Sequence, residues 1–185
     1  MAPVLEPVDV AAAREHLRVD DTDDDIMIAG LITVARQHVE AVTGRALVTQ
    51  TWELRLPDFQ TVITLPKAPA QSVSSITYVD ASGATQTLAS TVYQVLLDGG
   101  PSAQSGRVIE AYGQVWPGSR GHAEDVRVRY VAGYGLPSAV PAPLRHAMLL
   151  LVGHLYENRE ASAPAALAQL PFGVSALLAP HTVYG

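Results

Sequence analysis

The chain has 185 residues, a net charge of −6 and no cysteine, which excludes a disulfide scaffold, thiolate metal sites and cysteine nucleophiles. Charged residues make up 16% and apolar residues 48%, against a usual charged share of about 25%, so some of the surface is expected to be covered by copies of the chain or by partners, with a compact domain of Ala-rich and Thr-rich surface as the alternative. The charge is uneven. Residues 1–25 hold eight acids against Arg14 and Arg18, and the remainder balances ten acids with ten bases. An acidic chain without a basic stripe is poorly suited to gripping phosphates, although it could line a channel through which DNA passes.

The first six residues, Met1 to Glu6, lack the basic start and apolar core of a signal peptide. The longest apolar stretch, Leu144 to Tyr156, is interrupted by Arg145, His146 and His154 and is too short to span a bilayer. The expectation is a soluble protein of the cytoplasm with no membrane partner.

Residues 8–19 read as a short helix capped by Asp9, with Val10, Ala13 and Leu17 on one face. A longer helix follows. Thr22 suits its N-cap and Asp25 stands three positions on, as in a capping box. Ile28, Leu31, Ile32, Ala35, Val39 and Val42 form its apolar stripe, Arg36, Gln37 and Glu40 fall off it, and Gly44 closes it.

The period then changes to two. Trp52, Leu54 and Leu56 alternate with Glu53 and Arg55, the pattern of a strand with one buried face. Further strands are predicted over 62–65, 73–79, 84–88, 93–97, 107–110 and 126–131, with Asp80-Ala81-Ser82-Gly83 turning a hairpin. Helix resumes near Pro143 and buries Leu144, Ala147, Met148, Leu151 and Leu155. Pro164, Pro171 and Pro180 then limit the chain to short helical turns.

The fold class is therefore α+β. Residues 1–47 and 137–160 form a small helical bundle around Ile28, Leu31, Ile32, Val39, Leu144, Met148, Leu151 and Leu155, and residues 48–136 form an antiparallel β insertion. Residues 161–185 form an extended apolar tail. A mobile tail is usually polar, whereas this one holds Leu170, Pro171, Phe172, Gly173, Val174, Leu177, Leu178 and Tyr184. It reads as a docking surface for another chain, with folding back onto its own domain as the alternative.

Chemistry is hard to find. The run Asp20–Asp25 lacks the glycine and glutamate of an EF-hand loop. The six histidines show no metal-site spacing, no Gly-x-Ser-x-Gly elbow occurs, and the single lysine, Lys67, stands outside any Walker loop. No catalytic residue, metal or cofactor is assigned. Two other readings remain open. One is a free-standing β-rich binding module, with carbohydrate as a candidate ligand and Trp52, Tyr93, Tyr112 and Trp116 as platform aromatics. The other is a hydrolase with an acid dyad, which requires a perturbed carboxylate in a cleft.

Several segments, taken in order, resemble one family. They are Ala13 to Asp20, Asp24-Asp25-Ile26, Ala35 to Leu47, Thr49 to Trp52, Val79-Asp80, Val128 to Gly135, Val140 to Ala147, Leu155 to Glu160 and Leu170 to Leu178. Together they resemble the gp6-like head-tail connectors of long-tailed phages, in the variety with a β insertion that prophages and gene transfer agents also encode. The resemblance implies a non-enzymatic structural protein of the virion neck, assembled in the bacterial cytoplasm. Its partners would be copies of itself in a ring, usually a dodecamer, the portal protein above and the next neck or tail protein below. DNA would pass through the channel without sequence-specific binding. The resemblance also implies that the tail matching Leu170–Leu178 contacts the portal.

Overall fold

The computed structural model describes residues 3–158 and 172–183. The chain divides into two compact units. One is Thr49–Gly133, and the other is built from the chain on either side of it.

The helical unit starts with α1 (Val10–Leu17). Asp9 caps it by accepting a 2.7 Å hydrogen bond from the Ala12 amide. Arg18, in the left-handed region at φ 59°, ends it. Helix α2 (Asp25–Thr43) begins later than its sequence suggests. Its N-cap is Asp24, and Thr22 lies one turn outside, its carbonyl accepting from the Asp25 amide. Gly44 at φ 69° closes α2, a conformation that glycine adopts without strain. Helix α3 (Ala142–Glu157) starts after Pro141, and α4 (Phe172–Leu178) runs on into a 3-10 turn over Ala179–His181.

The core of this unit contains Ile28, Ile32, Ala35 and Val39 of α2 with Leu144, Ala147, Met148, Leu151 and Val152 of α3. Leu31 packs at its margin, and Leu155 is half-buried. Two readings of α2 are corrected. Val42, expected in the buried stripe, is 40% exposed. Arg36 and Glu40, expected to point away from the core, are 4% and 6% exposed.

The reversal has a physical cause in the partners. Arg36 donates to Glu40 at 2.9 Å and to Glu6 at 2.7 Å. The other Glu40 oxygen accepts from the buried Leu47 amide at 2.9 Å, and Glu6 also accepts from the Thr33 hydroxyl. Each buried charge is thereby paired and hydrogen-bonded, which is what burial of a charge requires. Periodicity alone cannot register a partner 30 residues away.

The β unit holds two antiparallel sheets. Strands β1 (Gln50–Leu56), β3 (Ala70–Val79), β4 (Thr85–Thr87) and β7 (Val126–Ala132) form one in the order β1-β7-β3-β4. Strands β2 (Val62–Thr64), β5 (Tyr93–Leu96) and β6 (Arg107–Glu110) form the other in the order β2-β6-β5. Central strand β7 buries Val126, Val128, Tyr130 and Ala132 and exposes Arg127 and Arg129, the two-residue alternation of a one-sided sheet. Burial pushes the Tyr130 phenol up to about 12. Gly106 marks a close approach, because a Cβ there would stand 2.8 Å from Ala70 Cβ and 3.2 Å from Leu97.

The Arg36 network yields a prediction. Glu40→Ala leaves the buried Arg36 guanidinium with Glu6 as its one remaining carboxylate and orphans the Leu47 amide, so it should destabilise the protein by about 2–4 kcal/mol. Urea unfolding measures this, and a loss below about 1 kcal/mol, the ceiling for a typical exposed ion pair, would mean that the pair is solvated.

Candidate functional site

The tail is the one segment for which the sequence suggests a docking role. The structure describes part of it and seats that part on the chain's own helical unit. Val174 and Leu178 are fully buried in the α2–α3 core, and Leu177 packs against it. Gly173 is exposed and lies beside Leu150. Leu170, Pro171 and Tyr184 lie outside the described residues, as does the side chain of Phe172. Val174 and Leu178 therefore anchor α4 to its own subunit. The folding-back alternative describes these two side chains.

The far end of the segment is held by polar contacts. Arg45 is 1% exposed, and its Nε donates to the His181 carbonyl. Its guanidinium lies 5.9 Å from the centre of the Tyr134 ring, within cation–π range. The Val183 amide donates to the Thr43 carbonyl at 2.9 Å, which satisfies one of the C-terminal carbonyls that α2 leaves without a helical partner. Burial raises the Tyr134 phenol, and the Arg45 charge partly opposes that rise. Sequence reasoning missed Arg45 as an anchor. Its one local signal is an arginine set between Gly44 and the apolar run Ala46-Leu47-Val48.

The binding-module reading depends on aromatics forming a platform. Trp116 instead stacks on Phe59, with centroids 5.0 Å apart and planes 9° from parallel. Its indole N–H donates to the Gln60 carbonyl and its backbone amide to Glu110. These contacts fasten a loop. Lys67 Nζ lies 5.4 Å from the centre of the half-buried Trp52 ring, and Tyr112 stands fully exposed.

The hydrolase reading needs a carboxylate pushed up toward neutrality. The carboxylates that shift among the described residues go down. A hydrogen bond from Arg55 lowers Glu53, one from Arg120 lowers Asp125, and those from Ser82 and Gln86 hold Asp80 at about 2. Glu53 pairs with Arg55 along β1, and Asp80 and Asp125 pair within loops. Among the described residues no three potential ligands cluster to hold a metal, and no helix is long and apolar enough to cross a membrane.

The Arg45 anchor is open to test. Arg45→Ala should speed amide exchange over 174–183 by at least about tenfold relative to α3, since this segment would open locally without global unfolding. Equal acceleration across the helical unit would show that Arg45 supports the whole core and not the segment.

Comparison with known proteins places these features. Residues 8–93, from the start of the helical unit to β5, match the model of the phage gp6-like head-tail connector protein. Among solved structures, a chain from the virion of a native gene transfer agent particle is 30% identical, with a TM-score of 0.77, covering 97% of this chain and 91% of that one. A chain from the neck of an empty gene transfer agent particle, computed with C6 symmetry, is 28% identical with the same TM-score and coverage. One from the neck of the native particle, computed with C12 symmetry, is 27% identical with a TM-score of 0.73, covering 95% of this chain and 88% of that one. No curated protein matches the chain. The family model matches residues 8–93, and the 30% identity to the native-particle chain extends over 97% of the sequence, so the chain belongs to the phage gp6-like head-tail connector family.

Proposed function

We propose that this protein is a structural head-tail connector subunit of a phage-like particle, located in the neck and joining the capsid to the tail. One observation carries the reading: similarity over 97% of the chain to a protein in a gene transfer agent neck structure. It covers the helices and the β insertion together, so the whole chain has the architecture of a neck component.

The finer reading is a ring of identical subunits, twelve by the C12 symmetry of the related neck, seated under the portal and prolonging the DNA channel. The next neck or tail protein would bind below. A ring is a closed head-to-tail arrangement that requires two different complementary surfaces on each subunit. The low charge content supports this, since charged side chains are depleted at interface cores. The role needs no catalytic group and no cofactor. DNA would pass without sequence-specific contacts, as suits a chain with a net charge of −6.

We retain the segment from Leu170 to Tyr184 as the portal-docking element. Val174 and Leu178 would act from inside, fixing α4 to its own subunit, and the segment's other apolar residues would meet the portal.

The test mixes the purified protein with its portal and follows mass and negative-stain images. The expected result is a ring stacked on the portal. A monomer that ignores the portal at saturating concentration contradicts the connector reading. Phe172→Asp should lower portal attachment at least about tenfold, since it carries a charge into an apolar contact, with an unchanged thermal midpoint. Normal decoration of portals by this variant would remove the tail from the docking site.

A further inference from the structure

Helix α2 is charged on the inside and bare on the outside. Arg36 and Glu40 are buried against each other. The exposed residues between 26 and 42 are Ile26, Ala29, Gly30, Val34, Gln37, Ala41 and Val42. None is charged, over a face roughly 24 Å long at 1.5 Å per residue. Ile26 is 90% exposed and Val34 49%. Single exposed apolar residues are ordinary, but a surface helix normally places its charged residues on the outward face.

Gly30 is a second, independent sign. Glycine inside a helix costs about 0.5–1 kcal/mol relative to alanine. Among the described residues a Cβ at Gly30 would meet nothing within 4 Å, so none of them requires a glycine there. Ile26 and Val34 stand one turn before it and one turn after it. The row forms a notch between two apolar knobs, a shape that receives a side chain from a second packed helix.

We propose that this face of α2 is the surface on which the neighbouring copy of the chain packs in the ring. The proposal rests on the ring reading above. A second copy is the fitting occupant for three reasons. A ring of identical subunits needs two different, mutually complementary surfaces on every copy, and this face supplies one of them. Related necks computed with C6 and C12 symmetry repeat one subunit about an axis. The face carries no cation with which to hold DNA. Its size sets how it works. A strip about 24 Å by 10 Å offers roughly 250 Å² per partner, well under the ~800 Å² of a stable free complex. The contact therefore closes when copies are gathered on a common base, where effective concentration is high, and the free protein stays monomeric.

The experiment compares wild type, Gly30→Ala and Gly30→Glu, each mixed with the portal ring at saturating concentration. Copies per portal are counted by native mass spectrometry and closed rings by negative stain. Both variants should raise the thermal midpoint, because each replaces an exposed helical glycine by a better helix former. Gly30→Ala should keep the ring. Gly30→Glu should leave subunits on the portal but lower the fraction of closed rings at least about tenfold, since it carries an unpaired charge into an apolar contact. Closed rings at wild-type frequency with Gly30→Glu would show that the face is plain surface. Loss of every subunit from the portal would assign the face to the portal and overturn the copy-to-copy contact. Failure of the wild type to form a ring would sink the ring reading and this proposal with it.

Discussion

The ion pair between Arg36 and Glu40 sits inside the helical unit, where two charges removed from water must be compensated by each other and by every nearby polar group. The structure supplies that compensation from three parts of the chain. Glu6 comes from the segment before α1, Thr33 from the previous turn of α2, and the Leu47 amide from the exit of the helix. Through these bonds the pair fixes where the N-terminal segment lies and how the chain leaves α2. The same burial leaves the opposite side of α2 without a charge.

That exit leads directly to the tail. Gly44 turns the chain, and Arg45 reaches back to hold the His181 carbonyl. Val174 and Leu178 fill space against α2 and α3. A side chain of this size contributes about 1.5–3 kcal/mol when fully buried, so two of them with the Arg45 and Val183 hydrogen bonds suffice to hold a helix too short to persist alone. The described part of the C-terminal segment is thus built into the chain's own helical unit through these anchors.

The β unit follows a different logic. It has its own buried residues, centred on β7 and its neighbours, and its ion pairs lie along β1, between β1 and β7 or its preceding loop, and within a loop. Glu53, Asp80 and Asp125 are held ionised by local donors. These carboxylates stiffen loops and sheet faces. They have the character of structural groups, in keeping with a family whose role is to connect.

Much of this was legible in the residues alone. The two-residue alternation in Trp52–Leu56 and Val126–Val131 marked β1 and β7, because a sheet with one buried face imposes that period whatever its partners. The stripes of α2 and α3 named most of the helical core for the same reason, and Asp9 and Gly44 marked helix ends through local backbone chemistry. The ordered motifs from Ala13 to Leu178 pointed to the family. Tertiary structure alone decided three things. It turned Arg36 and Glu40 inward, through a partner at Glu6. It drew Val174 and Leu178 into their own core, through a seat made by helices more than a hundred residues apart in the case of α2. It left Val42 and Ile26 in solvent, because a helix packed on one side exposes its other side even where that side is apolar. Periodicity reports which residues share a face, and only the packed chain decides what each face meets.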